Sequence, residues 1–138
     1  MRQIKQIIIH CSCTPAGRNI GATTIRGWHK EKGLSDIGYH YVIRLDGTIE
    51  EGRPIEQIGA HCQGHNRNSI GICYIGGTEQ DCKTPKDTRT TAQRQAMKQL
   101  LQELQEQFPS VTIHGHNEFA NKACPSFNVN EYLQDINL

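Results

Sequence analysis

From Ile4 to Cys11 β-branched residues run over about one strand length, and the polar segment after them holds Pro15 and Gly17, so the chain opens as a strand and then a loop. Thr23 and Thr24 are placed to cap a helix over Ile25 to Lys32, with Gly33 as its stop signal. Tyr39 to Leu45 and Thr48 to Glu50 flank Asp46-Gly47, a dipeptide that tolerates positive φ and predicts an antiparallel hairpin. Between Ser69 and Ile75, Ile70, Ile72 and Tyr74 alternate with Gly71 and Cys73 as in a buried strand, which Gly76-Gly77 ends. The polar stretch from Thr78 to Arg89 reads as a surface loop.

Thr90 and Gln93 have capping-box spacing, and Ala92, Ala96, Leu100, Leu104 and Phe108, with Met97 and Leu101, make one apolar stripe on the clearest helix of the chain. Pro109 stops it, Val111 to Ile113 forms a short strand, and Glu131 to Ile136 a terminal helix after the loop around Pro125. This order predicts an α/β fold: a single domain over residues 1–138, its central mixed β-sheet flanked by helices.

The 138 residues suffice for one hydrophobic core. A formal charge of +1 gives no long-range pull toward nucleic acid or an anionic membrane, so neither is expected as a partner, and a monomer is expected. Only three consecutive isoleucines precede His10, too few for a signal peptide or a span, which predicts a protein that is cytoplasmic when synthesised. That removes the premise for reading the six cysteines as a disulfide framework. Cys11, Cys13, Cys62 and Cys73, in or beside strand-like segments, are read as small buried hydrophobes, and Cys82 lies in a polar loop.

Seven histidines exceed what a core of this size requires. His10 stands at the carboxyl end of the first strand, where α/β folds commonly place ligand-binding side chains, although a lone histidine there is more often structural. His114-Gly115-His116 forms a second cluster shortly before Cys124. Two histidines and a thiolate suit zinc, a borderline-soft cation, and three protein ligands leave the fourth tetrahedral position for water.

Taken together, His10-Cys11-Ser12, Trp28-His29-Lys30-Glu31, Gly38-Tyr39-His40, Asp46-Gly47-Thr48, Asn68-Ser69-Ile70-Gly71 and Lys122-Ala123-Cys124-Pro125-Ser126-Phe127 closely resemble the phage lysozymes of T-seven type. These are zinc-dependent N-acetylmuramoyl-L-alanine amidases. The likeness runs in order from about residue 4 to residue 133 and extends more distantly to animal peptidoglycan recognition proteins. The resemblance implies one Zn²⁺ per chain on His10, His116 and Cys124, with Tyr39 and Lys122 as catalytic residues that do not touch the metal. It implies peptidoglycan (muramyl peptide) as substrate, cleaved at the amide between N-acetylmuramic acid and L-alanine, and the same fold. His61 and Asn68 would contact muramyl sugar or stem peptide. A chain of this type waits in the cytoplasm until a pore or an export machinery gives it access to the wall.

An amide is a poor electrophile, so its carbonyl must be polarised and its attacking water activated, and an open-site zinc does both. No glutamate in an H-E-x-x-H helix is present, which leaves the general base open among Tyr39, Lys122 and a zinc-bound hydroxide. A recognition module without catalysis is the competing class; relatives of that kind lack the zinc-binding cysteine, and Cys124 argues against it. A recycling amidase would carry an aspartate as third ligand. Trp28, His29 and His40 are read as packing or structural residues, and His114 lies outside the implied ligand set.

Overall fold

The computed structural model describes all of residues 1–138. Its five-stranded sheet has, from edge to edge, Ile49–Glu51 (β4), Tyr41–Ile43 (β3), Ser69–Tyr74 (β5), Gln6–Cys11 (β1) and Thr112–Gly115 (β7). Strands β3, β5, β1 and β7 run parallel, and β4 alone is antiparallel, paired to β3 across the Asp46-Gly47 turn. The mixed α/β sheet expected from the sequence is therefore present. A second pairing joins Thr14–Pro15 (β2) to Gly77–Thr78 (β6).

Alternation along the two central strands decides which residues reach which side of the sheet. Ile7, Ile9 and Cys11 of β1 and Ile70, Ile72 and Tyr74 of β5 enter the main core, with Met97, Leu100, Leu101 and Leu104 of helix Thr91–Gln107 (α2) and Val129 and Tyr132 of helix Val129–Asp135 (α3). The intervening residues, Ile8 and His10 on β1 and Ser69, Gly71 and Cys73 on β5, turn the other way. There helix Ala22–Glu31 (α1) covers a smaller core of Ala22, Ile25, Ile37, Val42, Cys73 and Ile75. The side carrying α1 has the thinner apolar cover and the polar residues, and it holds the site.

The capping box is present: Thr90 accepts from the Gln93 amide, and the Gln93 side chain accepts from the Thr90 amide. Gln93 is also fully buried and donates its side-chain amide to the carbonyls of Ile43 and Ile75, tying α2 to the ends of β3 and β5. The buried stripe thus runs through Gln93 rather than Ala92, because a satisfied amide is tolerated in the interior.

Three expectations need correction. Helix α1 starts earlier than Thr23 and Thr24 suggested; its first amide, on Ala22, is capped from a distance by the Glu50 carboxylate of β4. Gly21 leaves room there for the Glu50 carboxylate and the Arg44 guanidinium, which a Cβ would push aside. The segment from Thr78 to Arg89 is not all surface loop: Arg89 is buried, paired to Asp87 at 3.0 Å, with its guanidinium 3.5 Å from the centroid of Phe127 and 4.3 Å from that of Tyr132. The two-point pairing with the Asp87 carboxylate, together with cation–π contact, lets this arginine leave solvent. Cys13 is exposed rather than buried, because it lies past the end of β1 at φ 58°.

Candidate functional site

The pairing of β1 with β7 sets Ile9 opposite Gly115, so the residue after each strand partner arrives at the same end of the sheet. His10 comes from β1 and is almost wholly buried; His116 opens the short 3-10 turn His116–Glu118 and is half-buried. Their rings stand 4.6 Å apart. Cys124 arrives from the loop before α3, fixed by two polar contacts. The buried Tyr74 hydroxyl donates to the Pro125 carbonyl at 2.6 Å, and Ser126 Oγ donates to the Gly77 carbonyl at 2.8 Å.

One nitrogen from each of the two histidines and the Cys124 sulfur lie within 4.8 Å of one another. The Cys124 Sγ to His10 Nδ1 separation is 3.9 Å. A tetrahedral zinc, with about 2.3 Å to sulfur and about 2.0 Å to nitrogen, holds two such atoms about 3.5 Å apart, so the His10 and Cys124 donors need a shift of only a few tenths of an ångström, and all three draw together around the ion. The Cys11 amide donates to Cys124 Sγ at 3.2 Å, a contact that favours a charged sulfur.

The electrostatics favour metal-binding protonation states. Burial holds His10 well below the ordinary imidazole value, and the charges of His61, His116 and Lys122 add to it. His116 is lowered by burial and then by Lys122. Both rings are thus neutral and keep a free lone pair, the form that binds metal. The Cys124 thiol is pushed up by hydrogen bonding to the Cys11 and Cys13 sulfurs and by burial, so its proton leaves only when a cation compensates the charge. Contacts with the Cys11 and Cys124 sulfurs, and then Lys122 and His116, lower Cys13 instead. Cys124 is nevertheless the sulfur grouped with both imidazoles.

Beside the three donors opens a cleft lined by Ser12, Cys13, Tyr39, Lys122 and one face of α1. The Tyr39 ring lies 5.1 Å from that of His10, and burial, with the surrounding sulfurs, pushes its phenol well up, so it stays a hydrogen-bond donor. Lys122 is exposed at the cleft edge, and no carboxylate lines the cleft.

The remaining candidates fall in different places. His61 borders the outer cleft, but its Nδ1 is 2.8 Å from His10 Nε2, so part of its hydrogen bonding serves another histidine. Asn68 precedes β5, at the opposite end of the sheet from His10, and its amide donates to the Gln3 carbonyl. It lines a separate polar hollow with Lys5, His65 and Arg67, away from the donors. His40 is buried and bonded on both nitrogens, as a structural histidine should be. Trp28 and His29 line the cleft instead of only packing, together with Ile25 and Lys32. Those four positions are i, i+3, i+4 and i+7 of one helix face, a spacing from which the cleft wall was legible. His114 points elsewhere, to Glu118 at 2.9 Å and Thr112 at 2.8 Å.

Residues 1–127 match the protein family described as N-acetylmuramoyl-L-alanine amidase. The chain is 43% identical to the endolysin of Klebsiella phage KP32 over 134 residues, covering 96% of this chain and 87% of that protein. It is 42% identical to the endolysin of Escherichia phage T7 over 128 residues, covering 93% and 84%. Among solved structures, the N-acetylmuramoyl-L-alanine amidase LysC from Clostridium intestinale URNW superposes with a TM-score of 0.84 at 27% identity, covering 99% of this chain and 87% of that one.

Proposed function

Since the chain belongs to the N-acetylmuramoyl-L-alanine amidase family and cleaves peptidoglycan as the phage endolysins do, we propose that it does so as a zinc enzyme on His10, His116 and Cys124. The observation that carries this reading is the convergence of two imidazole nitrogens and one thiol sulfur within 4.8 Å beside an open cleft. Two nitrogens and a sulfur select zinc over the hard cations, which prefer oxygen. When bound, the metal supplies Lewis acidity, polarising the amide carbonyl and making water acidic enough to attack near neutral pH.

The chain's own residues do the rest. Tyr39, held protonated by its surroundings, donates a hydrogen bond to the oxyanion that develops as the carbonyl is attacked. Lys122 brings a positive charge to the same cleft and stabilises that oxyanion electrostatically. The face of α1 with Trp28 and His29, extended by Lys32 just past its end, provides a wall for the muramyl peptide, and the absence of carboxylates from the cleft suits an anionic stem peptide. Residues 1–138 act as one amidase domain and as a monomer. The protein reaches the wall through a membrane pore or an export machinery; none of its helices is long and apolar enough to cross a membrane.

Digestion of purified sacculi tests the reading. Wild-type protein is expected to release new L-alanine amino termini and no new reducing sugar ends. Cys124→Ser, which exchanges a soft anionic ligand for a hydroxyl, is expected to bind sacculi without cleaving them. Cleavage by that variant at the wild-type rate would remove Cys124 from the ligand set.

A further inference from the structure

We propose that His61 is a positioning residue for the metal: it accepts a hydrogen bond from His10 and thereby turns the His10 lone pair toward His116 and Cys124. The inference rests on the zinc reading above. His10 Nε2 lies 2.8 Å from His61 Nδ1, and His61 Nε2 lies 3.1 Å from Ser69 Oγ. One proton must sit between the two imidazoles, and there are two ways to place it. If His61 donates, His10 Nδ1 carries a hydrogen and points it at Cys124, which no ligand can do. If His10 donates from Nε2, its Nδ1 is a bare lone pair 3.9 Å from the Cys124 sulfur, and His61 in turn donates from Nε2 to Ser69. Only the second arrangement binds metal, and Ser69 supplies the acceptor that permits it.

The surroundings of His61 are built to hold this ring. Its backbone amide and that of Cys62 both donate to Asn66 Oδ1 at 2.9 Å, which fixes the loop. Gly71 leaves room for the imidazole: a Cβ there would stand 2.7 Å from the ring. Glycine at the middle of a central strand weakens packing, so its use under His61 marks a place reserved for that side chain.

Three variants test the proposal, each read by zinc competition against a chromophoric chelator and by the visible spectrum of the Co²⁺-substituted protein. His61→Leu fills similar space without an acceptor and is expected to weaken zinc about 10- to 100-fold and to shift the cobalt bands. His61→Asn restores an acceptor near the former Nδ1 and should recover most of the affinity. Ser69→Ala leaves the ring in place and should weaken zinc less than His61→Leu does, which keeps the proposal testable if the leucine variant does not fold. Wild-type affinity and an unchanged cobalt spectrum in both His61→Leu and Ser69→Ala would overturn it. A wild-type chain that takes up no zinc would instead overturn the zinc reading, and this inference with it.

Discussion

His10 and His40 are both about 1% exposed, yet they do different work. At His40 the Gly71 amide donates to Nδ1 at 3.0 Å, which places the ring proton on Nε2, and that proton goes to the Gln57 carbonyl at 2.8 Å. The Arg2 guanidinium closes off the same edge. Both nitrogens are consumed by the backbone, and nothing is left for a ligand. At His10 one nitrogen meets His61, and the other meets no backbone group at all, only a thiol and a second imidazole. Burial alone therefore does not distinguish a structural histidine from a metal ligand; the destination of the second nitrogen does.

That contrast breaks most sharply at the ligand side. His10→Ala should lose zinc and reduce turnover by at least about 10³-fold, since the metal supplies several kcal/mol and each 1.4 kcal/mol is a factor of ten. Retention of stoichiometric zinc in that variant, measured by elemental analysis, would put His10 in the class of His40.

Tyr39→Phe and Lys122→Ala come next. Each should keep zinc and fold while losing about 10²- to 10³-fold in kcat, the cost of one oxyanion-stabilising group. Full activity in both would leave the cleft beside His10 without a catalytic role.

The His40 side is sharpened by acid. Burial, assisted by the charges of Arg2 and Arg53, holds His40 down to about 4 against the donation to Gln57 that raises it. The folded state therefore keeps the ring neutral while the unfolded chain takes up a proton below about 6.5. Stability from this group is complete above pH 6.5 and is lost as pH falls from 6.5 toward 4, by about 3 kcal/mol in all. Urea unfolding of metal-free protein against pH should show this limb, to which the buried His10 and His61 rings also contribute, and His40→Leu should make it shallower while retaining zinc. An unchanged acid limb in His40→Leu would assign the loss elsewhere.

The smallest effect belongs to His114, whose partners are a half-exposed carboxylate and a hydroxyl at the sheet edge. His114→Ala should cost less than about 1 kcal/mol and leave zinc affinity and activity unchanged. Loss of metal in that variant would bring it into the site.

Periodicity carried most of the fold. Alternation in β5, the Asp46-Gly47 turn and the Thr90 to Gln93 cap concern neighbours in the chain, and they are legible there. What was hidden depends on distant partners: Glu50 capping α1, Phe127 and Tyr132 packing against Arg89, and the strand end that leaves Cys13 outside. The same division holds at the site. His10, His116, Cys124, Tyr39 and Lys122 followed from motif resemblance, and the structure brings them to one cleft. The hydrogen bonding of His61 to His10 spans 51 residues and depends on which way a ring turns, which no local pattern encodes. Asn68 lies away from the donors because its loop is contiguous in sequence with His61 but ends at the opposite end of the central strands from His10.

Metal analysis of the active protein tests the central claim most directly. Protein purified without added metal should contain one zinc per chain; a strong chelator should remove it together with the release of L-alanine amino termini from sacculi, and stoichiometric zinc should restore that release. Full hydrolysis by a chain shown to contain no zinc would contradict the account.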